Sequence, residues 1–151
     1  MVKIGLMNCT NVTQDMSCCA SACLKDMNAG TGAFEQHKKG GGAQLVGIIN
    51  CSGCPTLAAP DKFLGRVRAL VEAGAEAIHL SSCVMLLCPY RDKYKTLLEK
   101  NFPETKIITG SHDAGPITPE MFRGGVHDVL CQPRMSMMDL AKKAEEALSA
   151  K

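Results

Sequence analysis

Ala43-Gln44-Leu45-Val46-Gly47-Ile48-Ile49-Asn50 runs directly into Cys51-Ser52-Gly53-Cys54-Pro55, and the fold is decided at that junction. A nearly continuous apolar run with a polar stop is the pattern of a strand buried on both faces, which belongs to a parallel sheet covered by helices. Outward from it, residues 2–7 form a shorter run around Ile4 and Leu6 that ends at Asn8. Residues 75–80 and 106–109 supply two more runs, and 126–130 a weaker fifth.

Helical patterns lie between these runs. Phe63, Leu64, Val67, Leu70 and Val71 share a stripe, with Pro60 near its start and Gly74 at its stop. Tyr94, Leu97, Leu98 and Phe102 mark another helix, limited by Pro103. A helix is expected over 17–28, with Met16, Cys19, Cys23 and Met27 in line. A last one opens at Ser136 and Asp139 and carries Leu140, Ala144, Ala147 and Leu148. Alternation of this kind predicts one three-layer α/β domain over 1–151. The expected sheet is parallel and flavodoxin-like, with four or five strands in the order 2-1-3-4-5, right-handed crossovers and helices on both faces.

The composition narrows function. The chain has 151 residues, 46% of them hydrophobic and 21% charged, which is ordinary for a folded domain. No apolar run approaches the ~20 residues of a spanning helix, so no membrane role is expected. A net charge of +2 and 4% aromatics leave neither an electrostatic footprint nor a stacking platform for nucleic acid. The apolar stretch at the start is too short for a secretory leader and stops at Asn8 and Cys9, so a cytoplasmic protein is expected. There nine cysteines would stay reduced, and an odd number could not pair completely in any case. Metal binding, cluster binding and thiol chemistry remain.

Cysteine placement favours a site over core packing. Cys9 follows the first strand, Cys51 and Cys54 the second, Cys83 and Cys88 the third, and Ser111 and His112 the fourth. Cys131 follows the weak fifth. In an open parallel sheet the strand C-termini share one edge, where ligands bind. Cys51 and Cys54, three positions apart around Ser52-Gly53, can chelate one ion or act as a dithiol. Cys18, Cys19 and Cys23 fall at or near a helix N-terminus, where thiol pKa values drop. Cys83 and Cys88 are expected on a loop crossing the rim. His112 would complete a mixed Cys/His site, whereas His79 lies within a strand as a core group. His37 and His127 carry no partner pattern. Gly40-Gly41-Gly42 precedes a strand and opens no helix, so it is a turn and not a dinucleotide fingerprint. Asp61, Asp92 and Asp113 are isolated, so no acid/base pair announces hydrolysis and no catalytic residue is identified.

Cys9, Cys18, Cys23-Leu24, Ala33-Phe34-Glu35, Leu45-Val46-Gly47, Cys51-Ser52-Gly53-Cys54-Pro55, Ile78-His79-Leu80-Ser81-Ser82-Cys83, Cys88-Pro89 and Gly110-Ser111-His112 together resemble the CGGC-domain proteins of bacteria and archaea. The resemblance runs over about residues 2–112 and leaves 113–151 as a C-terminal extension. The central motif here reads Cys-Ser-Gly-Cys, a change of one small residue for another, and the spacing from Cys83 to Cys88 is short for the family. The resemblance implies metal binding, with zinc the usual reading, and no settled cellular process.

The expected site comprises Cys9, Cys18, Cys23, Cys51, Cys54, Cys83, Cys88 and His112. Its sulfurs exceed the needs of one tetrahedral zinc, which leans the reading toward an iron–sulfur cluster over zinc. The expected partners are the metal ion or cluster and a redox partner protein. Two other readings are a thiol–disulfide oxidoreductase using Cys51 and Cys54, and a small-ligand binding module with incidental cysteines.

Overall fold

The computed structural model describes residues 1–53 and 60–130, with the backbone alone over 126–130. Four parallel strands, β1 (Val2–Asn8), β2 (Ala43–Asn50), β3 (Ala77–Leu80) and β4 (Lys106–Thr109), form one sheet in the order β2-β1-β3-β4. That is the flavodoxin-like order. The central strands β1 and β3 are apolar along nearly their whole buried length, whereas the outer strands β2 and β4 are only partly covered. The run at β2, expected to be buried on both faces, is instead an outer strand with Ile48 44% exposed, and the burial of strands under two helical layers falls to β1 and β3.

One layer holds α1 (Ser21–Ala29) and a 3-10 segment (Gly32–Gly40), which cover Ile4, Leu6, Ala77 and Ile108 through Phe34, Ala20 and Cys23. The other holds α2 (Asp61–Glu72) and α4 (Arg91–Asn101), whose Phe63, Val67, Leu70, Tyr94 and Leu98 pack on Met7, Ile78 and Leu80. Phe63 and Tyr94 join the two helices with ring centroids 4.6 Å apart. The register of β1 on β2 shifts by one residue after Ile4, which sets Gly5 opposite Gly47. Leu70 fills the space above both glycines. A Cβ on Gly5 would lie 2.6 Å from Leu70 Cδ1, and one on Gly47 2.6 Å from Leu70 Cδ2.

Three further expectations are corrected. Residues 126–130 belong to α5 (Pro119–Leu130) and form no fifth strand. The start signal was present in the sequence: Pro119 occupies the first turn, and Thr118 Oγ1 accepts the Met121 N–H at 3.2 Å. A short apolar run cannot by itself separate strand from buried helix. The helix expected over 17–28 begins only at Ser21, because Ser17 and Ala20 hold φ of 54° and 60°, outside the right-handed helical region. Cys18 and Cys19 therefore precede α1. Cys83 lies on a short helix, α3 (Ser82–Leu87), with Cys88 at its end, in place of the expected loop. Gly41 and Gly42, at φ of 81° and 92°, make the turn into β2 as expected. Cys54, Cys131 and the helix expected after Ser136 lie outside the described residues.

Candidate metal centre

Three cysteines follow the ends of β1, β2 and β3. Cys9 is the first residue after β1, Cys51 the first after β2, and Cys83 the second residue of α3 just beyond β3. The Cys51 N–H donates to the Asn8 carbonyl at 2.8 Å, and Ser81 N–H to the Met7 carbonyl at 3.0 Å, so the parallel ladders extend into the loops. Arg66, from α2, clamps the end of β2 through the Asn50 carbonyl at 2.8 Å and the Cys51 carbonyl at 3.3 Å. After Cys9 the chain makes a wide turn of π-helix (Asn11–Asp15), held by Thr13 N–H and Oγ1 on the Cys9 carbonyl, each at 3.1 Å.

That turn aims backbone donors at sulfur. The Cys9 N–H donates to Cys83 Sγ at 3.3 Å, and the Thr10 N–H donates to Cys51 Sγ at 3.4 Å. The Thr10 hydroxyl donates to the Cys51 carbonyl and lies 3.5 Å from Cys51 Sγ. Ser81 Oγ is 3.0 Å from Cys83 Sγ. The Cys9 thiol donates to the Cys51 sulfur, and this bond is the main cause that brings the Cys51 pKa down to about 5. Burial opposes it, and the Thr10 hydroxyl and amide reinforce it. The same bond, together with burial, pushes the Cys9 thiol well up. Within the pair, Cys9 is the group held toward the thiol and Cys51 the group held toward the thiolate.

A second group lines a cavity of 290 Å³ beside the first: Cys18, Cys23, Cys83 and His112. Cys23 Sγ sits 3.2 Å from Ser111 Oγ and 3.3 Å from His112 Nδ1. Ser82 and Ser111 exchange bonds between α3 and the loop after β4: Ser82 N–H to Ser111 Oγ at 3.0 Å, and Ser111 N–H to Ser82 Oγ at 3.2 Å. Ser82 Oγ also donates to the His112 carbonyl at 2.7 Å, which fixes the imidazole's backbone. Burial pushes the Cys23 and Cys83 thiols up, so these two are held neutral when no cation is near. Cys88 is buried with Cys9 and Cys51 around a smaller cavity of 150 Å³. Cys19 is exposed.

The structure thus brings Cys9, Cys51 and Cys83 together and gathers Cys18, Cys23 and His112 on the far side of Cys83. Among the described residues, no three His, Cys, Asp or Glu side chains close around a single ion position. Thr10, Ser81 and Ser82 support the sulfurs, and no spacing in the sequence announces them. His37 was given no partner, yet its Nε2 lies 2.9 Å from Nε2 of His79. His79 is fully buried, stacks on Phe34 at 4.4 Å and donates from Nδ1 to the Gly110 carbonyl at 3.0 Å. It is the core group expected. Asp113 makes no bond to His112; its N–H reaches Asp26 Oδ2 at 2.9 Å.

Among the described residues, no helix is long and apolar enough to cross a membrane. The CGGC-domain family model matches residues 3–112. An uncharacterized protein of Methanocaldococcus jannaschii is 35% identical over 122 residues, a stretch covering 74% of this chain and 87% of its own. No solved structure matches. The family and the number of cysteines fit a metal-binding protein. Since the matched span runs from Lys3 in β1 past the end of β4 and, among the described residues, takes in the thiols and the imidazole of His112 that follow the strand ends, the chain belongs to the CGGC-domain family.

Proposed function

We propose that the protein holds an iron–sulfur cluster or zinc on thiolates at the C-terminal edge of its sheet, with Cys9, Cys51, Cys54 and Cys83 as the ligand set. One observation carries this reading: the sulfurs of Cys51 and Cys83 accept backbone N–H bonds from Thr10 and Cys9, neighbouring residues of one rigid turn. Donors aimed at sulfur stabilise thiolate, the form that ligates, and hydrogen bonds to sulfur tune bound clusters. A Cys51 already ionised at neutral pH gives up no proton on binding, which removes one cost of metal uptake. Cys54, two residues beyond Ser52, supplies the chelate partner by its spacing. Cys18, Cys23, Cys88 and His112 surround this set as outer groups or as a second site. A bound cluster would supply one-electron transfer and zinc a Lewis acid; the thiol number leans toward the cluster.

Anaerobic purification followed by iron, zinc and sulfide analysis tests the reading. A brown protein with iron and acid-labile sulfide supports the cluster, and colourless protein with stoichiometric zinc supports the zinc form. Cys51→Ser, Cys54→Ser and Cys83→Ser are expected to lose the metal, while Cys19→Ser retains it. Full metal content in Cys51→Ser and Cys83→Ser overturns the proposal.

The thiol–thiolate bond between Cys9 and Cys51 favours a second reading, thiol–disulfide exchange. The Cys51 thiolate attacks a substrate disulfide and forms a mixed disulfide, expelling one substrate sulfur, which takes up a proton. A second thiol, Cys54 by spacing or Cys9 by contact, then loses its proton and displaces the other substrate sulfur. The substrate leaves as a dithiol and the chain holds the disulfide. Metal-free protein whose one redox-active pair includes Cys51 would favour this reading over the first.

A further inference from the structure

We propose that His37 and His79 form a proton-operated latch: neutral, they hold the 3-10 segment Gly32–Gly40 on the sheet, and doubly protonated, they release it. Both residues are buried, and their Nε2 atoms lie 2.9 Å apart. The bonding pattern fixes where the protons sit. The Gly110 carbonyl can only accept, so His79 Nδ1 carries a proton, and in the neutral ring His79 Nε2 is then a bare acceptor. His37 Nε2 therefore donates to it. One added proton is accommodated when His37 changes tautomer, so that His79 Nε2 donates and His37 Nε2 accepts. A second sets N–H against N–H and two like charges in a buried site, and the pair must part.

The surroundings offer a charged pair no compensation. Lys106, from β4, acts on both rings and repels a proton on either, while its ammonium is held by Gln36 Oε1 at 2.8 Å. Glu35, Lys38 and Lys39 of the segment itself are exposed, and Glu35 pairs with Lys38 at 3.8 Å. Asp26 of α1 accepts the Asp113 N–H. β1, β2 and α1 bring apolar Ile4, Leu45 and Met27 to the cluster around Phe34. Among the described residues, no carboxylate acts on either imidazole, and burial holds both below the usual histidine range. The segment's other attachments lie close by: Phe34 stacks on His79 at 4.4 Å, and the Ala33 N–H donates to the Ser111 carbonyl at 2.9 Å. Release of the segment therefore frees the backbone of Gly110-Ser111-His112, the loop that sets His112 Nδ1 3.3 Å from Cys23 Sγ. Acid uncovers this side of the thiol edge, and no step of the latch needs a bound metal.

Native-state hydrogen exchange of the reduced, metal-free full chain, from roughly pH 7 down to about 5, tests the latch. Once the segment opens, both histidines titrate at their ordinary value of about 6.5. Below that value the opened state takes up two protons that the closed state refuses. The opening constant read at the Ala33 and Phe34 amides should then rise by up to about a hundredfold per pH unit, tenfold for each proton. Leu6 and Ile78, in the central strands, should exchange with a much smaller opening constant. His37→Gln keeps a donor for His79 Nε2 and cannot titrate, so the rise should fall to about tenfold per unit. A rise equal to that of wild type in His37→Gln overturns the proposal, as does a wild-type opening constant that stays flat with pH. Exchange of Ala33 and Phe34 at the opening constant of Leu6 and Ile78 does so too, since the segment then leaves only when the whole fold does. The last two outcomes are read on wild type alone, so they decide the matter even where His37→Gln fails to fold.

Discussion

Replacing Cys9 by Ala removes the donor that most lowers the Cys51 pKa, and the effect can be sized. With its pKa at about 5, Cys51 is almost wholly thiolate at pH 7; an ordinary thiol near 8.5 is only a few per cent ionised there. The Thr10 hydroxyl and amide remain in Cys9→Ala while the largest cause is gone, so the Cys51 pKa is expected to rise from about 5 part of the way toward the ordinary range near 8.5. Alkylation rate at one pH is a poor readout. Nucleophilicity falls with pKa at a Brønsted slope of about 0.4–0.5, so a gain in thiolate fraction is substantially offset by a weaker nucleophile. Cys51 is also buried, which slows any reagent. The pH titration of cysteine Cβ resonances in metal-free, reduced protein avoids both problems. Wild type should show a Cys51 midpoint of about 5, and Cys9→Ala a midpoint well above it. A wild-type midpoint near 8.5, or one that does not move in Cys9→Ala, refutes the thiol–thiolate pair.

Three further outcomes are expected. Burial brings the His79 pKa down to about 4, so its neutral form stabilises the fold fully above its unfolded value of about 6.5 and that stability is lost as pH falls through 4. The gap corresponds to about 3 kcal/mol, and His37, also lowered by burial, acts in the same direction. Urea unfolding of metal-free protein should show the loss between about pH 6.5 and 4. Because Cys51 gives a slope of the same sign down to about pH 5, the comparison is with His79→Asn, whose slope should be clearly shallower; equal slopes would remove the histidine explanation. Gly5→Ala should cost about 1–3 kcal/mol, and more than Gly47→Ala, since the new methyl at Gly5 meets both Leu70 and Ile78. Equal or negligible costs in urea unfolding would show that α2 gives way easily. Metal content should follow the ligand set, lost in Cys51→Ser and Cys83→Ser and kept in Cys19→Ser by elemental analysis.

The strands and the edge they share were legible in the sequence because each depends on local pattern. Val2–Asn8, Ala43–Asn50 and Ala77–Leu80 are apolar runs that stop at a polar or sulfur residue; the pattern located all three strands, though only β1 and β3 are buried along their length. Alternating strands and helices imply a parallel sheet, and with it the convergence of Cys9, Cys51, Cys83 and His112 on one edge. Residues 126–130 were misread because a five-residue stretch with three apolar residues satisfies strand and helix alike, and Thr118-Pro119 settles the matter from eight residues upstream. Which thiol meets which was decided only in three dimensions. Cys9 bonds to Cys51 and Cys83, 42 and 74 residues away, and His37 to His79, 42 residues away. Periodicity carries information over one or two turns of helix or a few residues of strand, whereas these pairs depend on register and on the wide turn after Cys9. The side-chain oxygen of Asn8, buried without a hydrogen-bond partner among the described residues, is further still from local pattern, since a side chain's partners are known only once every neighbouring element is in place.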